Sequence, residues 1–501
     1  MESQIPSRLP SLRRRSGRHE LLICVVAATA LVGLRTIVPV AYEQIFDSDQ
    51  AIVGLMAKHL SELRAFPLFF YGQNYMLGVQ AWMAAPLFRL GGPTVAMLRL
   101  PLALINVAVA ILLITAFTRR GLRPILALVV ALPIIATTPT ISLELMSTLG
   151  ASIEPFGYVL LLWALRRRPV AFGALFCLAV LQREFTVFAL PALVLADRRR
   201  WLSTDLTRSA GAFAAVWVVV DVLKHEVNMF GPAGGAFGSG SLILGPATIA
   251  KWLSFEFDAY WWRLTDLLTR GGSGLLGTLP HPIVGSGIPD GFFAGSGWAG
   301  GALAIGALVC VVRLIRLSRG SGQGHDAAGS SLPLYLALIA GQTMLVYGLN
   351  GGIQIGAPPV LRYFLFALLL PVALFGAYFE LEEARTWRTV VAILVAVWAG
   401  SNVWDNARLL RACALTPAPA HHRILADYLV DNGIRYARAG YWDSYVVTFL
   451  SAERVIVASS DTVRISAYQT LVDSHGPTAV ALRRQPCTNG RRVDVWCVGD
   501  P

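Results

Sequence analysis

The chain has 501 residues, of which 55% are hydrophobic and only 14% are charged, and its mean hydropathy is +0.58. A soluble domain carries roughly a quarter charged residues, so this composition excludes a purely soluble protein and predicts an α-helical polytopic membrane protein. The net charge of +12 does not indicate nucleic-acid binding, because the basic residues form short clusters between apolar runs, where membrane topology places them.

The first apolar run, at 21–40, follows a basic stretch at 13–15. No small-residue cleavage site follows it, so we expect an uncleaved first span rather than a signal peptide, with residues 1–20 in the cytoplasm. A span needs about 20 apolar residues, fewer inside a bundle, and on this basis the sequence predicts about eleven transmembrane helices. They are 21–40, 96–118, 124–139, 152–165, 170–182, 185–197, 209–223, 297–316, 332–350, 363–379 and 388–404.

The basic residues between these spans predict the orientation in the cytoplasmic membrane. Five clusters fall on one side if the spans are correct, and that side is then the cytoplasm. The clusters are at 13–15, 119–123, 166–168, 198–200 and 313–319. Three segments are predicted to lie outside: the loop 41–95, the loop 224–296 and the tail 405–501.

The first outside loop, 41–95, carries Asp47 and Asp49 directly after the first span. Loops of this length are usually functional. Its amphipathic runs, 51–60 and 77–90, predict helices in the membrane interface, beneath which a lipid-borne substrate would reach the two carboxylates. A carboxylate at this position can accept the proton of a sugar hydroxyl or amine while the sugar carbon is attacked.

Other interpretations of the acidic residues stay open. Asp47 and Asp49 have a spacing that suits oxygen ligation of a divalent cation such as Mg²⁺ or Mn²⁺. Alternatively, Asp47 caps the helix that starts near Asp49, and both side chains are solvated. Glu144 and Glu154 lie in the next outside turn, where Glu154 faces either the bundle or a hydrated loop. Four histidines lack metal-ligand spacing and are predicted at the surface: His59, His281, His421 and His422.

Two arginines at the predicted membrane boundary are candidates for binding a phosphate leaving group. Such a group leaves as an anion, which the bidentate guanidinium of arginine stabilises. Arg183 interrupts an apolar stretch, which is costly at membrane depth; the alternative is an outside turn in which it pairs with Glu184. Arg362 opens the tenth span next to Tyr363; the alternative is a side chain that snorkels to the interface.

The tail alternates helix-like and strand-like pieces and predicts a small α/β domain outside the membrane. The pieces are 421–432, 437–442, 444–451, 454–458, 466–474 and 478–482. Gly433 stands where a helix C-cap belongs. Cys487 and Cys497 would form a disulfide if this domain faces an oxidising compartment. Whether the tail binds an acceptor, packs on the bundle or recruits a partner stays open.

Residues 47–54 and 69–75 resemble motifs of the bacterial GT-C glycosyltransferases, relatives of the protein O-mannosyltransferases and the lipid A aminoarabinose transferase. In that family an acidic motif, commonly Asp-Glu, opens the first outside loop, and its Asp is taken as the catalytic base. The resemblance implies that Asp49 is the base here. Gln50 departs from the usual Glu, which leaves Asp47 as the candidate for the second acidic role.

The family's Arg-Tyr pair at the start of a late span is similar to Arg362-Tyr363, and the tail segments 439–442 and 448–454 resemble those of uncharacterised bacterial members. The resemblance implies a polyprenyl-phosphate sugar donor and a lipid, glycan or protein acceptor. It implies an inverting glycosyltransferase with a GT-C-like transmembrane domain over 21–404, acting on the outer face of the membrane. We expect five residues to bind the donor: Arg362, Tyr363, Arg183, Gln73 and Tyr75.

Two other functions stay open. A membrane transporter or lipid flippase often shows repeat symmetry and broken helices at the midplane. The sequence has no evident repeat, and its ionisable residues crowd the predicted outer face instead. A non-catalytic protein that binds or assembles glycans is consistent with the departure at Gln50.

Overall fold

Helices make up most of this protein. The computed structural model describes residues 10–73, 76–148, 152–197, 204–227, 256–283, 288–289, 291–320, 331–350, 356, 360–476, 479–484, 486–487 and 490–499. Ahead of the tail, the helices are α1 (Pro10–Ala41), α2 (Ser48–Ser61), α3 (Val79–Gly91), α4 (Val95–Arg119), α5 (Pro124–Ile135), α6 (Pro139–Leu145), α7 (Glu154–Leu165), α8 (Pro169–Gln182), α9 (Ala189–Ala196), α10 (Thr204–Val227), α11 (Phe257–Asp266), α12 (Gly272–Leu276), α13 (Gly297–Gly320), α14 (Leu332–Gly348), α15 (Leu369–Leu381) and α16 (Arg385–Leu415).

Five helices in the described part of the chain are long and apolar enough to cross a membrane: Gly17–Ala41, Val95–Arg119, Asp205–Lys224, Gly297–Ser318 and Arg385–Leu415. Helices α5 and α6 pass the same test together but are bent by 82°, as in a broken span or a re-entrant loop. The shorter apolar helices are Glu154–Leu165, Pro169–Gln182, Glu184–Ala196, Leu332–Gly348 and Leu365–Leu381. Each predicted span therefore coincides with an apolar helix, while the number of membrane crossings stays a prediction.

Side chains of other helices stabilise the break between α5 and α6. The four carbonyl groups at 134–137 accept hydrogen bonds from three residues: Arg35, Asn402 and Asn406. The Thr138 hydroxyl accepts from the N–H of Ile141 and caps α6, which begins at Pro139. Backbone groups inside an apolar bundle need such partners, so these side chains stabilise the bend that positions α6.

Ion pairs connect helix ends at one end of the bundle. They are Arg123–Glu20, Arg120–Glu380 and Arg313–Glu382. The basic clusters predicted at 119–123 and 313–319 therefore lie at the same end. Helix α1 starts at this end, and its last turn leads into the first outside loop. The compartment that each end faces stays a prediction.

Beyond α16 the chain forms a small α/β unit. Its elements are α17 (His421–Asp431), β3 (Tyr436–Ala439), α18 (Tyr441–Leu450), β4 (Ile456–Ser459), α19 (Ser466–Ser474), β5 (Val480–Arg484), β6 (Arg491–Val493) and β7 (Trp496–Gly499). The sheet order is β4-β3-β5-β7-β6; β3 runs parallel to β4 and β5, and β7 runs antiparallel to β5 and β6. A two-stranded pair, β1 (His281–Pro282) with β2 (Phe293–Ala294), lies earlier in the chain.

Two details of the tail agree with the predictions made from the sequence, and one predicted boundary does not. Gly433 has a φ of 67° after the end of α17, the left-handed conformation expected of a helix C-cap. Cys487 and Cys497 form a disulfide. Helix α16, however, runs to Leu415 instead of ending at 404, so the described α/β unit begins only at His421.

Helix α2 is buried along most of its length. Its residues Ser48 and 50–59 are all buried. The apolar side chains of α2 share one core with α17, α18 and the sheet of the tail. The tail therefore covers apolar side chains that were expected to face the membrane interface, and the depth of this helix relative to the membrane stays a prediction.

Candidate functional site

The acidic motif opens α2. Asp47 is the N-cap residue, and its carboxylate accepts a hydrogen bond of 2.9 Å from the backbone N–H of Gln50. The predicted capping role is thus confirmed, but the side chain is half-buried rather than solvated. Burial raises the pKa of Asp47, the hydrogen bond from Gln50 opposes that rise, and the charge of Asp49 adds to it. Asp49 follows in the first turn and accepts a hydrogen bond from the hydroxyl of Tyr441.

A buried arginine holds the segment that carries this motif. Arg99 of α4 is 2% exposed and donates to the side-chain oxygen of Gln50 from Nε at 3.1 Å and from Nη2 at 2.8 Å. It also donates to the carbonyl groups of Pro39, Tyr42 and Ile45. The side-chain amide oxygen of Gln50 thus anchors the first turn of α2 to α4.

Arg99 was not among the predicted site residues, although its sequence surroundings carried a signal. An arginine inside an apolar run is costly unless it is paired or functional. Arg99 lies in the predicted second span, 96–118, where that argument applied as it did to Arg183.

A small cleft brings three of the predicted donor-binding residues together. They are Arg183, Arg362 and Tyr363, which come from the end of α8 and from the 3₁₀ helix Leu361–Tyr363. The remaining lining residues are Ser152, Pro155, Phe156, Phe185, Thr343, Leu365 and Phe366. A mainly apolar pocket with two guanidinium groups suits an anionic head group attached to an apolar chain.

Arg183 and Glu184 face different surroundings. Arg183, in extended backbone conformation after α8, is 6% exposed and lines the cleft, whereas Glu184 is exposed. An outside turn with a mutual charge pair is therefore the wrong interpretation of this dipeptide.

The exposed fraction of Glu154 is only 3%, and its Oε1 accepts from the side-chain amides of Gln80 at 2.6 Å and Gln182 at 3.3 Å. Glu154 thus faces the bundle.

Arg362 lies at the mouth of the cleft. Its Nη2 donates to the hydroxyl of Tyr363 at 3.0 Å, and its guanidinium carbon is 4.9 Å from the centroid of that ring. Glu144 of α6 interacts electrostatically with both Arg362 and Asp47. The charge of Glu144 is therefore within electrostatic range of one residue of the cleft and of one residue of the acidic motif.

The other two predicted donor-binding residues are not brought to the cleft. Gln73 is 7% exposed, and its backbone N–H donates to the carbonyl of Phe70. It does not line the cleft. Tyr75 lies outside the described residues. Nearby, Arg464 of the tail donates to the carbonyl of Gly72 and lies over the ring of Phe70, so part of the 69–75 motif contacts the tail.

An ion cluster joins the first outside loop to the tail. The carboxylate of Glu453 lies 2.5 Å from Lys58 Nζ and 3.0 Å from His59 Nε2, and it accepts from Tyr468 at 2.6 Å and from Arg64. We call these five residues the Glu453 cluster. His59 is completely buried, so its predicted surface position is wrong; the carboxylate that holds it lies 394 positions away in sequence. Burial raises the pKa of Glu453, but its hydrogen bonds and the charge of His59 bring the pKa well below its usual range.

The remaining predictions about ligands have different outcomes. The described part of the chain holds no group of three or more His, Cys, Asp or Glu residues arranged for a metal ion. A divalent cation held by Asp47 and Asp49 stays a prediction. The other three histidines are partly exposed: His281, His421 and His422.

Comparison with known proteins identifies the fold. No family model and no curated protein matches this sequence. The crystal structure of ArnT from Cupriavidus metallidurans bound to undecaprenyl phosphate aligns with a TM-score of 0.56 and 12% identity, over 95% of this chain and 97% of that chain. This chain has the ArnT fold. An oligosaccharyltransferase from Archaeoglobus fulgidus aligns with a TM-score of 0.47 and 12% identity, over 93% of this chain and 69% of that one.

ArnT is a GT-C glycosyltransferase. The GT-C resemblance inferred from the motifs at 47–54 and 69–75 is therefore confirmed at the level of the fold. In this chain the tail packs on α2, the helix that carries the acidic motif.

Proposed function

We propose that this chain is an inverting GT-C glycosyltransferase that moves a sugar from a polyprenyl-phosphate carrier to an acceptor outside the cytoplasmic membrane. The observation that carries this proposal is the cleft lined by Arg183 and Arg362, together with the acidic motif of α2, since Glu144 is within electrostatic range of both Arg362 and Asp47. The ArnT structure that shares the fold holds undecaprenyl phosphate, which supports a carrier of this chemical class.

The chemistry requires one base and a cationic site for the leaving group. Asp49 accepts the proton of the acceptor hydroxyl or amine while that group attacks the anomeric carbon. The bond from this carbon to the phosphate oxygen breaks, and its electron pair leaves on the phosphate. Arg183 and Arg362 stabilise the resulting anion. A single displacement of this kind inverts the configuration at the anomeric carbon.

The proposed orientation places the N-terminus in the cytoplasm and the tail outside. Two observations support it. The described basic residues at 120–123 and at Arg313 lie at the end of the bundle where α1 begins. Basic residues accumulate at the cytoplasmic ends of membrane helices, so this end is assigned to the cytoplasm. The Cys487–Cys497 disulfide is typical of an oxidising compartment, which suits a tail outside the cytoplasm.

The broken helix does not favour a transporter. In transporters, carbonyl groups freed by a break coordinate the transported ions. Here the carbonyl groups at 134–137 already accept hydrogen bonds from Arg35, Asn402 and Asn406.

A turnover assay tests the proposed function. The purified protein, in nanodiscs, receives a panel of undecaprenyl-phosphate monosaccharides and an extract of bacterial envelope lipids and glycans. The undecaprenyl phosphate released is then measured. Release that depends on the extract supports the proposal. No release from any donor, or donor transport in vesicles without release, would overturn it.

Arg183→Ala and Arg362→Ala are each expected to weaken undecaprenyl phosphate binding by about 10–100-fold, because a charge-assisted hydrogen bond contributes about 1.5–3 kcal/mol. Binding is measured by titrating undecaprenyl phosphate into protein in nanodiscs. Arg408→Ala is the matched control: it removes a guanidinium that pairs with Asp405 and does not line the cleft. Equal weakening in the control, or none in the two cleft variants, would contradict the assignment.

A further inference from the structure

The tail is fitted closely against the helix that carries Asp49. Phe449 of α18 packs on α2 at Gly54, where an added Cβ would lie 2.5 Å from a ring carbon of Phe449. Phe46 stacks against the same ring with a centroid separation of 5.3 Å. Any side chain at Gly54 would force the helices apart. The glycine in the 47–54 motif therefore serves tail docking, and the first turns of α2 and α18 are brought together.

At that meeting point, Tyr441 is fixed by its backbone and by its side chain. Its N–H donates to the carboxylate of Asp461 at 2.7 Å, and its carbonyl accepts from the hydroxyl of Ser48. Arg464 lies 5.8 Å from the centroid of its ring. The hydroxyl of Tyr441 donates to Oδ1 of Asp49. Two consecutive residues of the acidic motif thus bind one residue of the tail.

A hydrogen bond at this position has a chemical consequence. A general base must present a lone pair to the incoming proton at hydrogen-bond distance, and a carboxylate that rotates freely does so only part of the time. The hydroxyl of Tyr441 donates to Oδ1 of Asp49 and so restricts the rotation of this carboxylate. Burial, and after it the charge of Asp49, raise the pKa of Tyr441 above its usual range, so this hydroxyl remains a donor.

We propose that Tyr441 is a positioning residue for Asp49, so that the tail completes the catalytic site of the membrane domain. This proposal rests on the function proposed above, in which Asp49 is the base. It gives the tail a part in the reaction that is distinct from binding an acceptor or recruiting a partner.

The test compares two tyrosines of the same helix. Tyr441→Phe removes the donor to Asp49. Tyr445→Phe removes a buried hydroxyl that accepts from the backbone N–H groups of Arg464 and Ile465 and does not touch Asp49. In the turnover assay we expect Tyr441→Phe to lower kcat by about 10–100-fold, the effect of a misplaced reacting group. We expect the donor KM and undecaprenyl phosphate binding to stay within about 3-fold, and Tyr445→Phe to keep nearly full kcat.

Two further measurements separate positioning from tail stability. Hydrogen–deuterium exchange in α2 and α18 should be unchanged in Tyr441→Phe, because the ring and its packing are kept. Tyr441→Phe should cause no further loss in an Asp49→Asn background, since both changes act through one carboxylate.

The outcomes distinguish this proposal from the proposed function. Full activity of Asp49→Asn would overturn the base and its positioning together. An inactive Asp49→Asn with wild-type turnover in Tyr441→Phe would overturn positioning alone. Equal loss in Tyr441→Phe and Tyr445→Phe, with faster hydrogen–deuterium exchange in both, would also overturn positioning and leave the tyrosines with a purely structural role.

Discussion

Asp49→Asn is expected to lower turnover by about 10²–10⁴-fold, the contribution of a general base. The asparagine is isosteric, and its amide oxygen can still accept from the hydroxyl of Tyr441, so the first turn of α2 should keep its geometry. An amide cannot take up the proton of the acceptor. Undecaprenyl phosphate binding should therefore be unchanged while kcat falls, and both quantities are measured on the same preparation.

Asp47→Asn is the matched control for this prediction. It removes an equal charge two residues earlier, and asparagine is as good an N-cap as aspartate, so α2 should remain capped. A smaller loss than in Asp49→Asn would leave Asp47 with the second acidic role. An equal loss in the two variants would attribute the effect to local charge and would contradict Asp49 as the unique base, as would full activity of Asp49→Asn.

The sequence predicted the membrane part of the fold well because its signals are local. Each predicted span coincides with an apolar helix. The span predicted at 124–139 ends at Pro139, the residue at which α6 begins. The sequence did not predict which surface covers α2. Its apolar pattern indicates that one face is covered, but not whether lipid or protein covers it. The tail that covers α2 lies almost 400 positions away, as the separation of 394 between His59 and Glu453 shows.

The candidate site was predictable where chemistry singles out a residue type. Arg183 and Arg362 stood out as guanidinium groups in apolar surroundings, and the structure brings them to one cleft. Tyr441 did not stand out, although it lies in the 439–442 segment that resembles other bacterial tails. A tyrosine near the start of an amphipathic helix has many ordinary roles, and only the packing of α18 on α2 gives this one a carboxylate partner.

Glu453→Gln is expected to cost about 1–3 kcal/mol of tail docking, because the buried ammonium of Lys58 then keeps only the more exposed carboxylate of Glu62. The side chain of Glu453 is 9% exposed and contacts Lys58, His59 and Arg64. Ala452 and Glu453 have φ values of 52° and 63°, an unfavourable conformation that the ion cluster offsets. Faster hydrogen–deuterium exchange in α2 and α18 would report the loss.

Glu62→Gln is the matched control for the Glu453 cluster. Glu62 contacts Lys58 and Arg64 too, but its side chain is 40% exposed, so its loss should cost under about 1 kcal/mol. Equal exchange rates in the two variants would show that burial does not strengthen these ion pairs and would contradict the prediction.

The same cluster predicts how tail docking depends on pH. The pKa of Glu453 is lowered in the folded protein, relative to an ordinary value of 4.5. A lowered pKa adds stability above the unfolded-state value, and that stability is lost as the pH falls below it. Exchange in α2 and α18 should therefore quicken as the pH drops below about 4.5 in the wild type, after correction for intrinsic exchange rates. Glu453→Gln lacks the titrating carboxyl and should lose most of this dependence. Because α2 carries Asp49, undocking should also lower turnover over the same pH range, which would connect the stability of the tail to the activity of the site.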